Sequence, residues 1–325
     1  MLYARLIIMR LLKAVIVLFL IVIFNFFLIH MAPGDPAVVM AGEAGATDAE
    51  FLNQLREQFG LDQPLYVQLW NYVSGIATLD FGYSYRQQTP VFDLIMDRLP
   101  ATLLLTGTAF VMSLGLGILA GSMAAARAKK LSGSLIMALA LVFYATPLFW
   151  VALMAVMLFS VQLEWLPAYG YYTVGADLTG FALALDIGQH LILPATTLAL
   201  FSMAVYTRMT RTSMLEASQQ DYVKTARAKG LAPGVIQRRH ILRNALLPII
   251  TLAGLQAGQM VGGAILTETV FAWPGIGRLM FEALMQRDYN LLLGIFFFSA
   301  ALVIVFNIIT DLVYGLVDPR IKESS

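Results

Sequence analysis

Apolar and polar positions along this chain fall into long blocks, not an alternation in twos. Six stretches, near residues 11–31, 101–126, 132–160, 190–209, 247–270 and 289–315, are predominantly apolar over 20 residues or more. That is the length needed to cross roughly 30 Å of hydrocarbon. Lipid offers no partner to a backbone N–H or C=O, so each stretch is predicted to be a helix. Barrel strands would be shorter and would alternate apolar with polar residues.

Two of the hydrophilic intervals also carry helix signals. Within residues 32–100, "TDAEFLNQLREQFGLDQPL" opens with a capping box of Thr47 and Glu50. It reaches Gly60 at the position of a left-handed helix stop and is closed by Pro64. A second helix is expected from Pro64 to about Ile76. "TPVFDLIMDRLP" then sets Val91, Leu94, Ile95 and Leu99 near one face and leads into the second apolar stretch. These pieces make a small helical cap, which is either a lid that shields the span ends, or a docking surface or wall of the substrate path. The other interval, Glu216–Pro248, suits a helix from about Met214 to Lys229 and a left-handed stop at Gly230. A second helix is expected from Pro233 to about Asn244.

Composition places the chain in a membrane: 59% of residues are hydrophobic and 13% charged, with mean hydropathy +0.76, about half the charge of a soluble domain. The apolar run from Ala14 to Met31 is too long for a signal-peptide core, and no small-x-small cleavage site follows. It is expected to stay as the first span. The net charge of +1 carries no message, but its distribution does. Sixteen of the 21 Lys and Arg residues fall on the side that holds both termini and the 216–248 loop. By the positive-inside rule that side is cytoplasmic. The expected organisation is an N-terminal segment with the first span (1–31), an external helical cap (32–100) and a five-helix core (101–325). The core includes the basic loop at about 210–247.

Within the spans, Gly254, Gly258 and Gly262 recur every four residues, as do Gly117 and Gly121. Small residues at this spacing let helices approach closely in lipid. They serve packing within one subunit, or a contact between subunits or along a pore. Pro147 is expected to kink the third span, while Pro194 and Pro248 lie near span starts, where a missing N–H costs little. Ionisable residues are nearly absent: His30 and His190 lie near span ends and Asp311 near the inner end of the last span. An ion-coupled carrier usually needs buried carboxylates or broken helices, so the energy source is expected elsewhere.

Chemistry is as sparse as charge. The chain has no Cys, no paired His and carboxylate, and no phosphate-binding glycine loop. We therefore assign no catalytic, cofactor-binding or metal-ligating residue, expect no enzyme and no nucleic-acid partner, and place ATP hydrolysis outside this polypeptide. The basic faces of the 216–248 loop also suit acidic membrane lipid. Lipid alone does not explain its glycine corner or its length, which suit a rigid lever seated in a cytoplasmic partner.

That loop resembles the cytoplasmic coupling loop of ABC importer permeases. The family pattern is Glu-Ala-Ala, three residues, Gly, then a later apolar-x-Leu-Pro; here Ala226, Gly230 and Leu247-Pro248 match in order, while Lys224 stands where the Glu belongs. Asp221-Tyr222, Ala226 to Gly230, His240 and Asn244 fit the variant of the dipeptide, oligopeptide and nickel branch. "APGDP", "GLDQPLYVQ", "RLPATLLLT", "TPLFW", "HLILPATTLAL" and "ETVFAWPGIGRL" also resemble that branch in order, across nearly the whole chain.

The resemblance implies an all-α integral membrane protein with six transmembrane helices and the type I ABC importer permease fold. It implies the first of two membrane subunits in a bacterial inner membrane, carrying di- or oligopeptides. Implied partners are a second, homologous permease, two cytoplasmic ATPases that hold ATP and Mg, and an external solute-binding protein. Tyr222, Ala226 and Arg227 would dock on the ATPase, Gly230 would form the corner, and Asp221 would pair with a nearby base. His240 and Asn244 complete the loop; Gly254, Gly258, Gly262 and Pro147 would serve packing or gating. Against this stand an ion-coupled secondary carrier working without ATPases, a structural assembly subunit, and the same ABC role with nickel, glutathione or a small glycoside as cargo.

Overall fold

The computed structural model describes residues 2–31, 62–84 and 86–317, with 50, 52, 53, 56 and 57. The Thr47 capping box and the Gly60 stop lie outside these residues. The described residues form α-helices, two short π-helical stretches, connecting loops and one two-stranded hairpin. Among the described residues, Val91–Ala126, Gly180–Ser218, Pro233–Gly258 and Tyr289–Thr310 are each long and apolar enough to cross a membrane. A bent pair of helices makes a fifth candidate, and the N-terminal helix contributes the shorter apolar stretch Leu12–Leu28.

The chain divides into two compact units. The first holds residues 1–99 and 279–302. Its helices α1 (Leu2–His30) and α2 (Leu65–Ala77) meet through Phe26, whose ring stacks on Tyr72 at 5.9 Å, and through His30, which bonds Gln68 at 3.0 Å. Helix α2 follows Pro64 at its N-cap, as the proline pattern predicts. Strands β1 (Tyr83–Ser84) and β2 (Thr89–Pro90) pair antiparallel, with Tyr83 opposite Pro90. The Ser84 hydroxyl donates to the buried Asp288 carboxylate, whose other oxygen accepts from the Leu291 N–H at 3.1 Å. Asp288 is thus an N-cap that also anchors the hairpin. Of the four positions placed on one face by the sequence pattern, Val91, Leu94 and Ile95 are buried and Leu99 is half-buried.

The second unit holds residues 100–278 and 303–325. It contains most of α3 (Val91–Ala126), then α4 (Leu131–Ala145), α5 (Leu148–Ala155), α6 (Gly180–Ser218) and α7 (Asp221–Ala228). Helix α8 (Arg243–Val270) follows, and the C-terminal part of α10 (Tyr289–Val317) completes the unit; α9 (Ile276–Met285) begins in it. Helix α6 is the axial element, burying Ala195, Leu198, Ala199, Ser202, Ala204, Tyr206 and Thr210 along its length. Its approach to α3 depends on glycine. A Cβ on Gly117 would overlap Tyr206, and one on Gly121 would lie 2.5 Å from the Thr210 side chain.

Three expectations need correction. The third span is not one kinked helix: α4 and α5 are separate and bend by 102°. Thr146, before Pro147, takes the extended conformation (φ −85, ψ 135) that a following proline imposes, and its hydroxyl donates to the Val142 carbonyl at 2.7 Å. Beyond α5 the chain continues as a π-helical stretch, Val156–Gln162. Secondly, α6 begins at Gly180, so Pro194 lies inside a helix and not near its start. Hydropathy marks where lipid begins, whereas the helix extends beyond it. Thirdly, Pro248 is likewise interior to α8.

Candidate functional site

The basic loop is built around one apolar contact. Helix α6 stops at Ser218, Gln220 turns extended (φ −71, ψ 153), and Asp221 starts α7 with its carboxylate at the positive end of the helix. The expected single helix from Met214 to Lys229 is therefore broken at 219–220. Three residues apart on α7, Val223 and Ala226 are buried against Met214, Ile236, Ile241 and Ala245. These residues come from α6, the Ile236–Leu242 stretch and α8, so α7 is fixed to the roots of two spans.

The corner after α7 is set by hydrogen bonds. Gly230 has φ +74, its N–H donates to the Arg227 carbonyl at 2.9 Å, and the Leu231 N–H donates to Ala226 O at 3.3 Å. That pair of bonds is a Schellman cap, which needs a left-handed residue at its centre. No atom lies within 4 Å of where a Gly230 Cβ would stand. Backbone conformation, not space, selects glycine there. Pro233 then opens a short turn, Pro233–Val235, which passes through π-helical Ile236–Leu242 into α8. The second short helix expected to end near Asn244 is thus continuous with the fifth span. Asn244 donates to the His240 carbonyl at 2.7 Å, and Gln237 donates to the Ser122 carbonyl on α3 at 3.3 Å.

The candidate loop residues separate into two groups. Tyr222, Arg227 and Gly230 are exposed, as are Leu231, Val235, Arg238 and Arg239. Asp221 pairs with Lys224 at 2.8 Å, both at the surface, where such a pair contributes little. Ala226 belongs to the other group. It is 4% exposed, so it holds the loop together and has no surface to offer a partner. His240 is half-buried and Asn244 exposed, and each serves the turn into α8. A crevice of about 370 Å³, lined by Ala125, Met214, Leu215, Arg227, Leu231 and Gln237, opens beside the corner.

The candidate span glycines differ among themselves. A Cβ on Gly254 would overlap Thr310, and one on Gly258 would lie 3.2 Å from Val303 Cγ1. Both therefore bring α8 close to α10. Gly262 has nothing within 4 Å and is exposed, so it does not join that contact. Beside Gly254 lies an almost wholly apolar cavity of about 350 Å³ between α3, α8 and α10, lined by Thr106, Phe110, Ile250, Ala253, Phe306 and Thr310. Pro147 lies on a different element, at the break between α4 and α5.

One residue was missed. Glu268 lies in the fifth span and is fully buried, against the expectation that ionisable residues are nearly absent. Its Oε1 accepts from the Thr102 hydroxyl at 2.7 Å and its Oε2 from the Arg278 N–H at 3.0 Å. Thr102 Oγ1 in turn accepts the Ile276 N–H at 2.7 Å, and the Trp273 indole donates to Ala101 O at 2.8 Å. A Cβ on Gly275 would overlap the Glu268 carboxylate, and one on Gly277 would lie 3.0 Å from it. The carboxylate thus occupies the N-terminus of α9 and accepts N–H groups that start the helix. A signal existed: in "ETVFAWPGIG" a carboxylate precedes two glycines and a helix start. Hydropathy averaging hides a single charge. Among the described residues no three His, Asp or Glu side chains converge on a site for a metal ion.

Comparison with known proteins agrees with this architecture. The family described as "Binding-protein-dependent transport system inner membrane component" matches residues 117–323, and its N-terminal counterpart matches residues 3–106. A dipeptide transport system permease protein, DppB, of Alkalihalophilus pseudofirmus is 39% identical over 96% of this chain and 98% of its own length. The Pseudomonas aeruginosa di/tripeptide permease DppB is 40% identical over 93% and 94%, and the Escherichia coli dipeptide permease DppB 39% over the same shares. Among solved structures, a chain of the inward-facing MetNI methionine ABC transporter superposes with a TM-score of 0.56 at 16% identity, over 69% of this chain and 96% of that one. At that identity the likeness shows the fold. The family is one of transport permeases. The chain belongs to the binding-protein-dependent transport system inner membrane components, and is a multi-pass permease subunit of an ABC importer with the type I fold.

Proposed function

We propose that this permease carries di- or oligopeptides inward as one half of a membrane heterodimer. Two cytoplasmic ATPases supply ATP and Mg, and an external solute-binding protein delivers the cargo. The peptide assignment rests on what the relatives are named for, since each of the three above is a dipeptide or di/tripeptide permease. Both termini and the basic loop face the cytoplasm, supported by the placement of sixteen Lys and Arg residues on that side.

The observation that carries the coupling role is the seating of α7 on the roots of α6 and α8 through Val223 and Ala226. A helix so fixed moves as one body with two spans, so a force applied to it reaches the membrane. The docking surface is Tyr222, Arg227 and the exposed apolar pair Leu231 and Val235. When the ATPases close on ATP they favour one packing of the spans and, when they open, the other. This requires different contacts with each state. Asp221 and Lys224 are paired with one another, and their charge is solvated.

Ion coupling is the competing scheme, and the buried Glu268 is the residue that would favour it. Its hydrogen bonds to Thr102 and the start of α9 account for it as a helix cap. Reconstitution separates the two. Uptake of a labelled dipeptide into proteoliposomes is expected to need the ATPase subunits and ATP. Uptake by the purified chain alone, driven by a proton or sodium gradient, would overturn the proposal.

A further inference from the structure

Helices α4 and α6 of the second unit leave a shallow groove of about 80 Å³, lined by Met137, Ala140, Leu141, Tyr144, Ala204 and Val205, with Arg208 at one end. Its floor is made of small residues: Ala140 is 3% and Ala204 7% exposed. The Tyr144 ring, stacked on Phe201 at 5.4 Å, closes the far end. The groove opens on a face without charge. Helix α4 carries no ionisable side chain apart from Tyr144, and its Leu135, Leu139, Leu141 and Val142 are all more than half exposed. Such a surface suits acyl chains.

The charged end has no counterpart of its own. Arg208 is exposed, and among the described residues no carboxylate pairs with it. Arg211, one turn further along α6, has its Nε buried with no acceptor among the described residues. A buried guanidinium N–H left without an acceptor is costly, and the guanidinium fork matches a phosphate. Lys129 and Lys130 lie exposed in the turn that opens α4, so positive charge collects where the groove reaches the membrane surface.

We infer that Arg208, supported by Arg211, binds the phosphate of an anionic phospholipid of the inner leaflet, whose acyl chain lies in the groove between α4 and α6. The inference rests on the proposed orientation, which puts this end of α6 at the cytoplasmic surface, where anionic headgroups concentrate. It adds to the permease role a lipid site against α6, the helix whose end meets the coupling corner. A bound lipid would brace α4 against α6 and set how easily they separate.

The test uses the full-length chain with its copurifying partners, in nanodiscs of phosphatidylcholine with or without phosphatidylglycerol. Native mass spectrometry reads the retained lipid, and ATPase activity is read in parallel. Phosphatidylglycerol is expected to be retained on the wild type. Retention falls about fivefold in Arg208→Gln and about 25-fold in Arg208→Gln/Arg211→Gln. Met137→Trp, which fills the groove and leaves the charge alone, lowers retention as well. Undiminished retention in Arg208→Gln would overturn the inference, as would complete displacement of the lipid by inorganic phosphate, which has no acyl chain. Loss of a partner subunit in Arg208→Gln with lipid retention intact would overturn it too, pointing to a carboxylate on that subunit. Lipid retained by a wild-type chain that recruits no ATPase would support the lipid site and count against the proposed ATPase coupling, so the two fail separately.

Discussion

At Gly230 the backbone must stand at φ +74, a conformation that costs an ordinary L-residue about 1–2 kcal/mol and a β-branched one more. Space is free around it, so Gly230→Val strains the corner without a clash. We expect the variant to assemble, with ATP-driven uptake falling roughly tenfold, since 1.4 kcal/mol is a factor of ten. Unimpaired uptake would remove the corner from the mechanism. Glu268 poses the opposite problem, because its surroundings are closed. Truncation to Ala would strip acceptors from the Thr102 hydroxyl and the Arg278 N–H, each costing about 1–3 kcal/mol. Glu268→Gln keeps one acceptor and should cost less. Thermal unfolding in detergent should rank wild type above Gln and Gln above Ala. Gly230 was visible in the sequence because its punctuation is local. Glu268 was passed over because its charge is one letter in an apolar run and its partner Thr102 lies 166 residues away, although Arg278 is only ten residues on.

At the scale of elements, the spacing of glycines foretold close helices but not which glycine meets what. Gly254 sits against Thr310, Gly258 against Val303, and Gly262 against nothing. Gly254→Ala should therefore push α8 from α10 at a cost of about 1–3 kcal/mol. Gly262→Ala should be neutral or slightly stabilising, since alanine is the better helix former. A melting-temperature comparison of the two in one detergent checks this, and equal losses would refute the contact. Prolines taught a related lesson. Pro147 was expected to bend one helix but separates two, whereas Pro194 and Pro248 were expected near span starts yet lie inside helices. A proline states that one N–H is missing and that the preceding residue prefers to be extended. Whether the helix breaks or merely bends depends on what the neighbouring elements can hold in place.

For the molecule as a whole, the long apolar blocks and the sparse charge were sufficient to read a helical membrane protein. The ordered family motifs were sufficient to read an importer permease that works with ATPases made elsewhere. These are properties of composition and order along the chain, and lipid enforces them without reference to neighbours. Tertiary structure alone decided that Ala226 is buried against α6 and α8. It also decided that the loop's second helix is the root of a span, that Glu268 caps the start of α9, and that Arg208 ends a groove. Each of those outcomes depends on how elements join and pack, and hydrophobicity read position by position cannot say which surface a contact will cover.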